Sequence, residues 1–231
     1  MPTSPKIPKE IILQHMEKLR VIISGGGTGG HIFPAISIAN AIKEAVAEAE
    51  ILFVGATGRM EMERVPAAGY KIIGIPARGL KRPLYSLSNI KVAFDYLKCR
   101  SMAKKIIKEF KPDVVVGVGG YASAAIVSVA AKMGIPTAIH EQNAFPGVTN
   151  KALAGSVDRV MLTVSQAEKY MKPKNSCVIT GLPIRGDLLK GDRDFARAEL
   201  GITDKPLILS MGGSLGAKPV NDAVLGMIVN K

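Results

Sequence analysis

Residues 20–31 read R-V-I-I-S-G-G-G-T-G-G-H: a short β-branched run that ends in a glycine cluster, followed from Pro34 by Ala and Ile at helical spacing. β-branched residues suit a buried strand, and glycine lets the backbone turn sharply and lets a ligand come close to the chain. A strand, a glycine corner and a helix in that order make the first half of a βαβ unit. The same design recurs at 117–121 (G-V-G-G-Y), after an apolar run at 114–118, and at 212–216 (G-G-S-L-G), after an apolar run at 206–211.

Working outward from the first corner, strands are expected at 50–54, 70–76, 137–140 and 159–163, and helices at 34–49, 59–68, 88–110, 122–132 and 149–155. Strands separated by helices of this length predict an α/β fold with a doubly wound, parallel, Rossmann-like sheet. Their continuously apolar character fits burial on both faces. A further strand is expected at 177–180, then a turn, a helix at 194–200, the strand at 206–211 and a helix at 217–230. The expected organisation is an N-terminal extension over 1–18, a first domain over 19–184 and the start of a second Rossmann-like domain over 185–231. The extension carries Pro2, Pro5 and Pro8 and lacks the apolar stretch of a signal peptide, and Met16 is a second possible start.

Composition narrows the function. The chain has 231 residues, 47% of them hydrophobic and 22% charged, with a net charge of +12. That suits a packed core rather than a disordered tail. No apolar run reaches the roughly 18 residues of a spanning helix. Two cysteines are too few for a disulfide framework, and zinc-type C-x-x-C spacing is absent. Gly25, Gly27 and Gly30 satisfy G-x-G-x-x-G, yet the second strand ends F-V-G-A without the acid that holds a nicotinamide ribose. A dehydrogenase is therefore disfavoured. Helix N-termini behind glycine corners instead suit phosphate or another anion. His31 lies at such a terminus, where the helix dipole disfavours the imidazolium; it reads either as a proton-transfer group or as a structural cap. His140, Glu141, Gln142 and Asn143 follow another strand at the same sheet edge, where they either contact a ligand or knit the loop.

Five stretches carry a resemblance: 25–34 (G-G-G-T-G-G-H-I-F-P), 117–123 (G-V-G-G-Y-A-S), 140–143 with 147–151 (H-E-Q-N and G-V-T-N-K), 181–185 (G-L-P-I-R) and 212–217 (G-G-S-L-G-A). In this order the chain resembles the MurG family, the UDP-N-acetylglucosamine transferases that make lipid II in bacterial peptidoglycan synthesis and so serve cell-wall biogenesis and division. The resemblance implies a GT-B glycosyltransferase with two Rossmann-like domains and no cofactor or metal. It implies that Thr28, Gly29, Gly30, Asn143, Arg185 and Ser214 bind UDP-GlcNAc, that Gly119, Gly120 and Tyr121 hold the diphosphate of the lipid I acceptor, and that His31 is the candidate base. It also implies inverting transfer of GlcNAc to the C4 hydroxyl of the lipid I muramoyl sugar, at the cytoplasmic face of the cell membrane.

Family members run past residue 231, so the resemblance further implies a C-terminally shortened chain lacking much of the donor pocket. Two other readings stay open: a non-catalytic module that docks on the membrane and binds acceptor, and a related GT-B enzyme acting on another lipid. From Arg78 to Lys108 there are nine basic residues and one acid, Asp95. Leu80, Leu84, Phe94 and Leu97 are interleaved with them. Residues 80–97 are expected to contact an anionic membrane surface as a peripheral site. The scarcity of stacking aromatics argues against nucleic acid.

Overall fold

The protein's structure, a computed structural model, describes residues 19–79, 88–212 and 216–229, with the side chains of 88–94, 187 and 189 outside the description. The expectations for residues 1–18, Leu80, Leu84 and Ser214 therefore fall outside the described residues. The chain divides into two compact units, one ending at Ile184 and one beginning at Arg185.

Among the described residues of the first unit, one seven-stranded sheet contains β1 (Arg20–Ser24), β2 (Glu50–Ala56), β3 (Lys71–Ile75), β4 (Val114–Gly117), β5 (Thr137–Glu141), β6 (Arg159–Leu162) and β7 (Cys177–Ile179). Its helices are α1 (Gly29–Ala45), α2 (Glu61–Ala67), α3 (Ser88–Phe110), α4 (Tyr121–Lys132) and α5 (Val148–Leu153). The strands run in the order β3-β2-β1-β4-β5-β6-β7, every neighbouring pair parallel. This is the α/β, doubly wound, Rossmann-like sheet that the alternation predicts. From β1 the chain winds outward to β3, then returns across the sheet to β4 and winds the other way. The direction thus reverses between β1 and β4, where Ser24 pairs with Gly117 at the carboxyl ends of the strands.

Strand alternation supplies two cores. Ile22, Leu52, Val115 and Ile139 point to the face covered by α3, α4 and α5, where Ile106, Ile126 and Leu153 are buried with them. Val21, Ile23, Phe53 and Val116 point to the other face, against Ile32, Ala35 and Ala39 of α1 and Val65 of α2. Each Val, Leu, Ile or Phe among them contributes about 1.5–3 kcal/mol when fully buried. The central strands are thus packed on both faces beneath the carboxyl edge, while β3 and β7 at the sheet's margins stay partly exposed.

Two local expectations differ from the structure. Helix α1 begins at Gly29, not at Pro34, which lies inside it. The proline lacks the N–H that would bond the Gly30 carbonyl one turn back, and a single missing bond near the start of a 17-residue helix is tolerated. Residues 206–211 form no strand. A strand exists only as part of a ladder, and among the described residues of the second unit there is no partner for one; Ile208 is 81% and Leu209 75% exposed. The second unit consists of a short 3-10 turn over Gly186–Lys190, α6 (Arg193–Glu199) and α7 (Lys218–Val229). Asp192 caps α6 through its side chain, accepting from the amides of Asp194 and Phe195.

A carboxylate ties β5 to the turn that precedes β6. Asp158 Oδ2 accepts from the Thr137 amide at 2.9 Å and the Thr137 hydroxyl at 3.0 Å. The Thr137 amide, opposed by partial burial and aided by the Thr137 hydroxyl and Lys174, holds the Asp158 carboxyl below its ordinary range. A depressed folded value means that the bond stabilises the fold above the ordinary aspartate pKa and is lost as pH falls through the depressed one. Asp158→Asn is expected to lower the melting temperature at neutral pH, and the gap to the parent should close as the medium is acidified. A gap that is constant across that range in thermal melts would contradict this role.

Candidate active site

A cavity of about 470 Å³ opens at the carboxyl edge of the sheet, at the reversal between β1 and β4. In open α/β sheets this crevice is the place where ligands bind. The β1–α1 corner brings Gly26, Gly27, Thr28 and His31 to it, and the β4–α4 corner brings Gly119, Gly120 and Tyr121. The two corners touch backbone to backbone: a Cβ on Gly120 would lie 2.6 Å from the Gly26 carbonyl oxygen, and Gly120 has φ +90°. Only glycine meets both conditions. Tyr121 is 53% exposed, and its ring covers Gly79 at a distance that leaves no room for a side chain there.

Helices α1 and α4 present their N-termini here. Neither has a side-chain cap bond, and neither has an acid in its first turn. Their first-turn N–H groups thus keep the partial positive charge of the helix end. Arg59 adds a cation to the lining. The arrangement can hold a phosphate or diphosphate largely through backbone groups.

Glu61, on α2, was not singled out by sequence. It is fully buried and fastens the first corner, its Oε2 accepting from the Gly27 amide at 3.0 Å and its Oε1 from the Ala56 amide at 2.9 Å. The carboxylate fills the space above Gly26, where a Cβ would come within 2.1 Å of Oε1. The available signal was an acid in the helix directly after the second strand, E-M-E-R at 61–64, but nothing in that pattern distinguishes the buried Glu61 from the solvent-facing Glu63.

The H-E-Q-N run knits its loop. Glu141 Oε1 accepts from the amide and the side-chain nitrogen of Asn143, both at 3.0 Å. Its Oε2 accepts from the Gly147 amide at 3.0 Å and from Asn150 Nδ2 at 2.9 Å. Asn150 also reaches the His140 carbonyl, while its Oδ1 is buried and has no hydrogen-bond partner among the described residues. His31 Nδ1 lies 3.0 Å from Gln142 Oε1, and Gln142 Nε2 lies 3.1 Å from His140 Nδ1. Burial pulls the His140 imidazole below the ordinary histidine range, opposed by its bond to the Gly181 carbonyl and by Glu141.

The structure therefore brings Thr28, His31, Gly119, Gly120 and Tyr121 to one cavity. Gly29 and Gly30 form the first turn of α1 behind it and are not part of its lining. Asn143 is also outside the lining, with its side-chain nitrogen committed to Glu141. Arg185 opens the second unit. Neither cysteine is poised as a nucleophile, because burial pushes both thiols up. Among the described residues, no group of three or more His, Cys, Asp or Glu is placed to hold a metal ion.

A parallel α/β sheet with an anion-type cavity at its reversal point is shared by many nucleotide-binding proteins, so comparison with known proteins narrows the class. Residues 21–162 match the Glycosyltransferase family 28 N-terminal domain. The chain is 50% identical over 214 residues to the UDP-N-acetylglucosamine--N-acetylmuramyl-(pentapeptide) pyrophosphoryl-undecaprenol N-acetylglucosamine transferase of Parabacteroides distasonis, covering 91% of this chain and 58% of that protein. The protein of the same name from Alkaliphilus oremlandii is 52% identical over 211 residues, covering 91% and 57%. The crystal structure of Acinetobacter baumannii MurG matches with a TM-score of 0.59 at 28% identity, over 72% of this chain and 46% of that one. The UDP-GlcNAc 2-epimerase of Neisseria meningitidis, solved with UDP-GlcNAc, shares the fold at 14% identity and a TM-score of 0.58, over 92% and 62%. The chain belongs to glycosyltransferase family 28, and its first unit has the Rossmann-like fold of a GT-B enzyme's N-terminal domain. It spans somewhat more than half the length of these two curated relatives.

Glu61→Gln tests the fastening of the first corner. A glutamine has one acceptor oxygen for two backbone donors, so either Gly27 or Ala56 loses its partner, at a cost of about 1–3 kcal/mol. Urea unfolding should show that loss, and hydrogen exchange at the Gly27 amide should speed up. Unchanged stability with a still-protected Gly27 amide would mean that the corner stands without Glu61.

Proposed function

We propose that this chain carries the acceptor side of an inverting transferase that moves GlcNAc from UDP-GlcNAc to the C4 hydroxyl of the lipid I muramoyl sugar, giving lipid II. The observation that carries this reading is the convergence of two uncapped helix N-termini and His31 on one cavity, in a chain half identical to transferases whose named acceptor is a pyrophosphoryl lipid. In this reading the diphosphate of the acceptor lies against Gly119, Gly120 and Tyr121. Thr28 and the first turn of α1 face the donor sugar nucleotide, joined by Asn143, Arg185 and Ser214.

The chemistry needs a proton acceptor at the attacking hydroxyl and stabilisation of the charge that leaves. As the hydroxyl oxygen bonds to the anomeric carbon, its proton passes to the His31 imidazole. The bond from that carbon to the phosphate oxygen breaks, and its electron pair departs with UDP. Attack from the face opposite the leaving group inverts the anomeric centre. Helix N-termini and backbone amides supply positive potential, so the proposed chemistry requires no cofactor.

The chain incubated with UDP-GlcNAc and a short-chain lipid I analogue is expected to yield a product heavier by one GlcNAc, read by mass spectrometry. His31→Ala should lower kcat by about 10²–10⁴-fold, the range of general acid–base catalysis. One observation favours a second reading, that of an acceptor-binding module without turnover of its own: among its described residues the second unit contains no strand, and a Rossmann-like donor domain needs a sheet. Binding of the analogue without transfer would select the module, and absence of both would remove the acceptor reading.

A peripheral membrane site at residues 80–97, on the cytoplasmic face of the cell membrane, belongs to the same proposal. No described helix is long and apolar enough to cross a membrane. On the described part of α3, Leu97, the last residue of the segment, is 62% exposed, and Lys98 next to it is exposed as well. Such a surface pairs apolar area with positive charge, the combination that anionic lipid attracts. Flotation with liposomes should require anionic lipid and weaken in Lys81→Glu/Arg82→Glu, whereas flotation indifferent to both would end the membrane reading.

A further inference from the structure

The three side chains His31, Gln142 and His140 form a hydrogen-bonded line across separate elements. His31 comes from the first turn of α1, His140 from the end of β5, and Gln142 from the loop after it. The line ends on a main-chain carbonyl, with His140 Nε2 lying 3.0 Å from the Gly181 oxygen. Gln142 Nε2 also touches a carbonyl, that of His140, at 3.0 Å.

These two carbonyls determine every proton in the line, because a carbonyl oxygen can only accept. The His140 ring must donate from Nε2 to Gly181, so its Nδ1 is a lone pair when the ring is neutral. The Gln142 amide must turn its NH₂ toward the His140 carbonyl, and the same NH₂ donates to His140 Nδ1 at 3.1 Å. The Gln142 oxygen then faces His31, and the 3.0 Å contact there is satisfied only if His31 Nδ1 carries hydrogen. Burial of His140 favours the neutral ring that this requires; Glu141 favours the charged ring, but both oxygens of Glu141 are occupied by Asn143, Gly147 and Asn150.

We infer that Gln142 and His140 are positioning residues that hold His31 as the Nδ1–H tautomer, leaving an unprotonated Nε2 as the proton acceptor of the cavity. The inference rests on the transferase reading for the use of that lone pair, but not for its existence. His31 lines the cavity, and its Nε2 has no hydrogen-bond partner among the described residues. The tautomer matters because an imidazole in water favours hydrogen on Nε2. In that form the cavity side of His31 would donate, and the basic nitrogen would face Gln142 and be useless to a substrate hydroxyl. The same logic governs nucleophile–base–orienter arrays, in which a third group selects the base's tautomer. Here the orienting group is a carboxamide instead of a carboxylate, so it places the proton without adding charge.

Long-range ¹H–¹⁵N correlation spectra of the imidazoles, recorded on the intact chain without substrate and above the histidine titration range, read the tautomers directly. The expected pattern is a protonated Nδ1 with a bare Nε2 for His31 and the reverse for His140. A protonated Nε2 on His31, or rapid averaging of its two nitrogens, would overturn the inference. Gln142→Leu removes the acceptor and should move His31 toward the Nε2–H form. Gln142→Glu keeps an acceptor at that position and should preserve the parent tautomer of His31 while disturbing His140. Identical His31 spectra in the Leu and Glu variants would also overturn it. If Gln142→Leu does not fold, the parent spectrum and Gln142→Glu still decide. Because no substrate is present, a failed transfer assay and a failed tautomer pattern are separate results.

Discussion

The contact on which the rest of the molecule depends is the meeting of two backbone corners. Gly120 lies so close to Gly26 that a single added carbon would overlap its carbonyl oxygen. The contact exists because β1 and β4 are adjacent in the sheet although far apart in sequence, with Val21 to Ser24 in register with Val114 to Gly117. That adjacency follows from winding the chain outward to β3 and back. Once the two corners touch, the N-termini of α1 and α4 are drawn to one place, and their first-turn N–H groups bring partial positive charge to the cavity between them.

In the proposed transfer, the cavity divides two tasks between two kinds of group. Holding an anion is assigned to backbone amides, which cannot be altered by changing a side chain and which lose no rotamer freedom on binding. Handling a proton falls, in the same proposal, to His31, whose Nδ1 contacts Gln142 and, through it, His140 and the Gly181 carbonyl. Glu61 belongs to the first task. Although it lines the cavity, both its oxygens are turned onto backbone donors of Gly27 and Ala56, so it shapes the corner and spends little of its charge on a ligand.

The sheet was legible because its strands are short apolar runs, most of them closed by glycine or proline; seven of the eight expected strands are present. The exception, 206–211, shows the limit of pattern reading. Apolar alternation states that a segment could pair, but pairing needs a neighbour, and no neighbour is visible in composition. The start of α1 was misplaced for a local reason: Pro34 usually marks a first turn, yet Gly29 and Gly30 take helical geometry ahead of it because the corner must close directly onto Gly120.

Within the site, residues that act through backbone position were legible, since glycines at fixed spacing reveal a corner and a histidine behind one is placed by the helix itself. Thr28, His31, Gly119, Gly120 and Tyr121 are of that kind. Residues that act through another side chain were not. Nothing in the spacing of Glu61 shows that it bonds Gly27, 34 positions earlier, or that Gln142 spans to His31 over 111 positions. Asn143 illustrates the converse. It stands in a polar run at the sheet's carboxyl edge, yet Glu141 takes its side-chain nitrogen and the cavity is lined by Asn150 instead, whose buried Oδ1 has no partner among the described residues. A buried acceptor left unpaired costs stability, and beside a cavity a water or a ligand donor can recover that cost. Asn150, on α5, thus keeps an open acceptor beside the cavity, while the carboxylate of Glu141 is taken up by Asn143, Gly147 and Asn150 and the carboxamide of Gln142 by the two histidines.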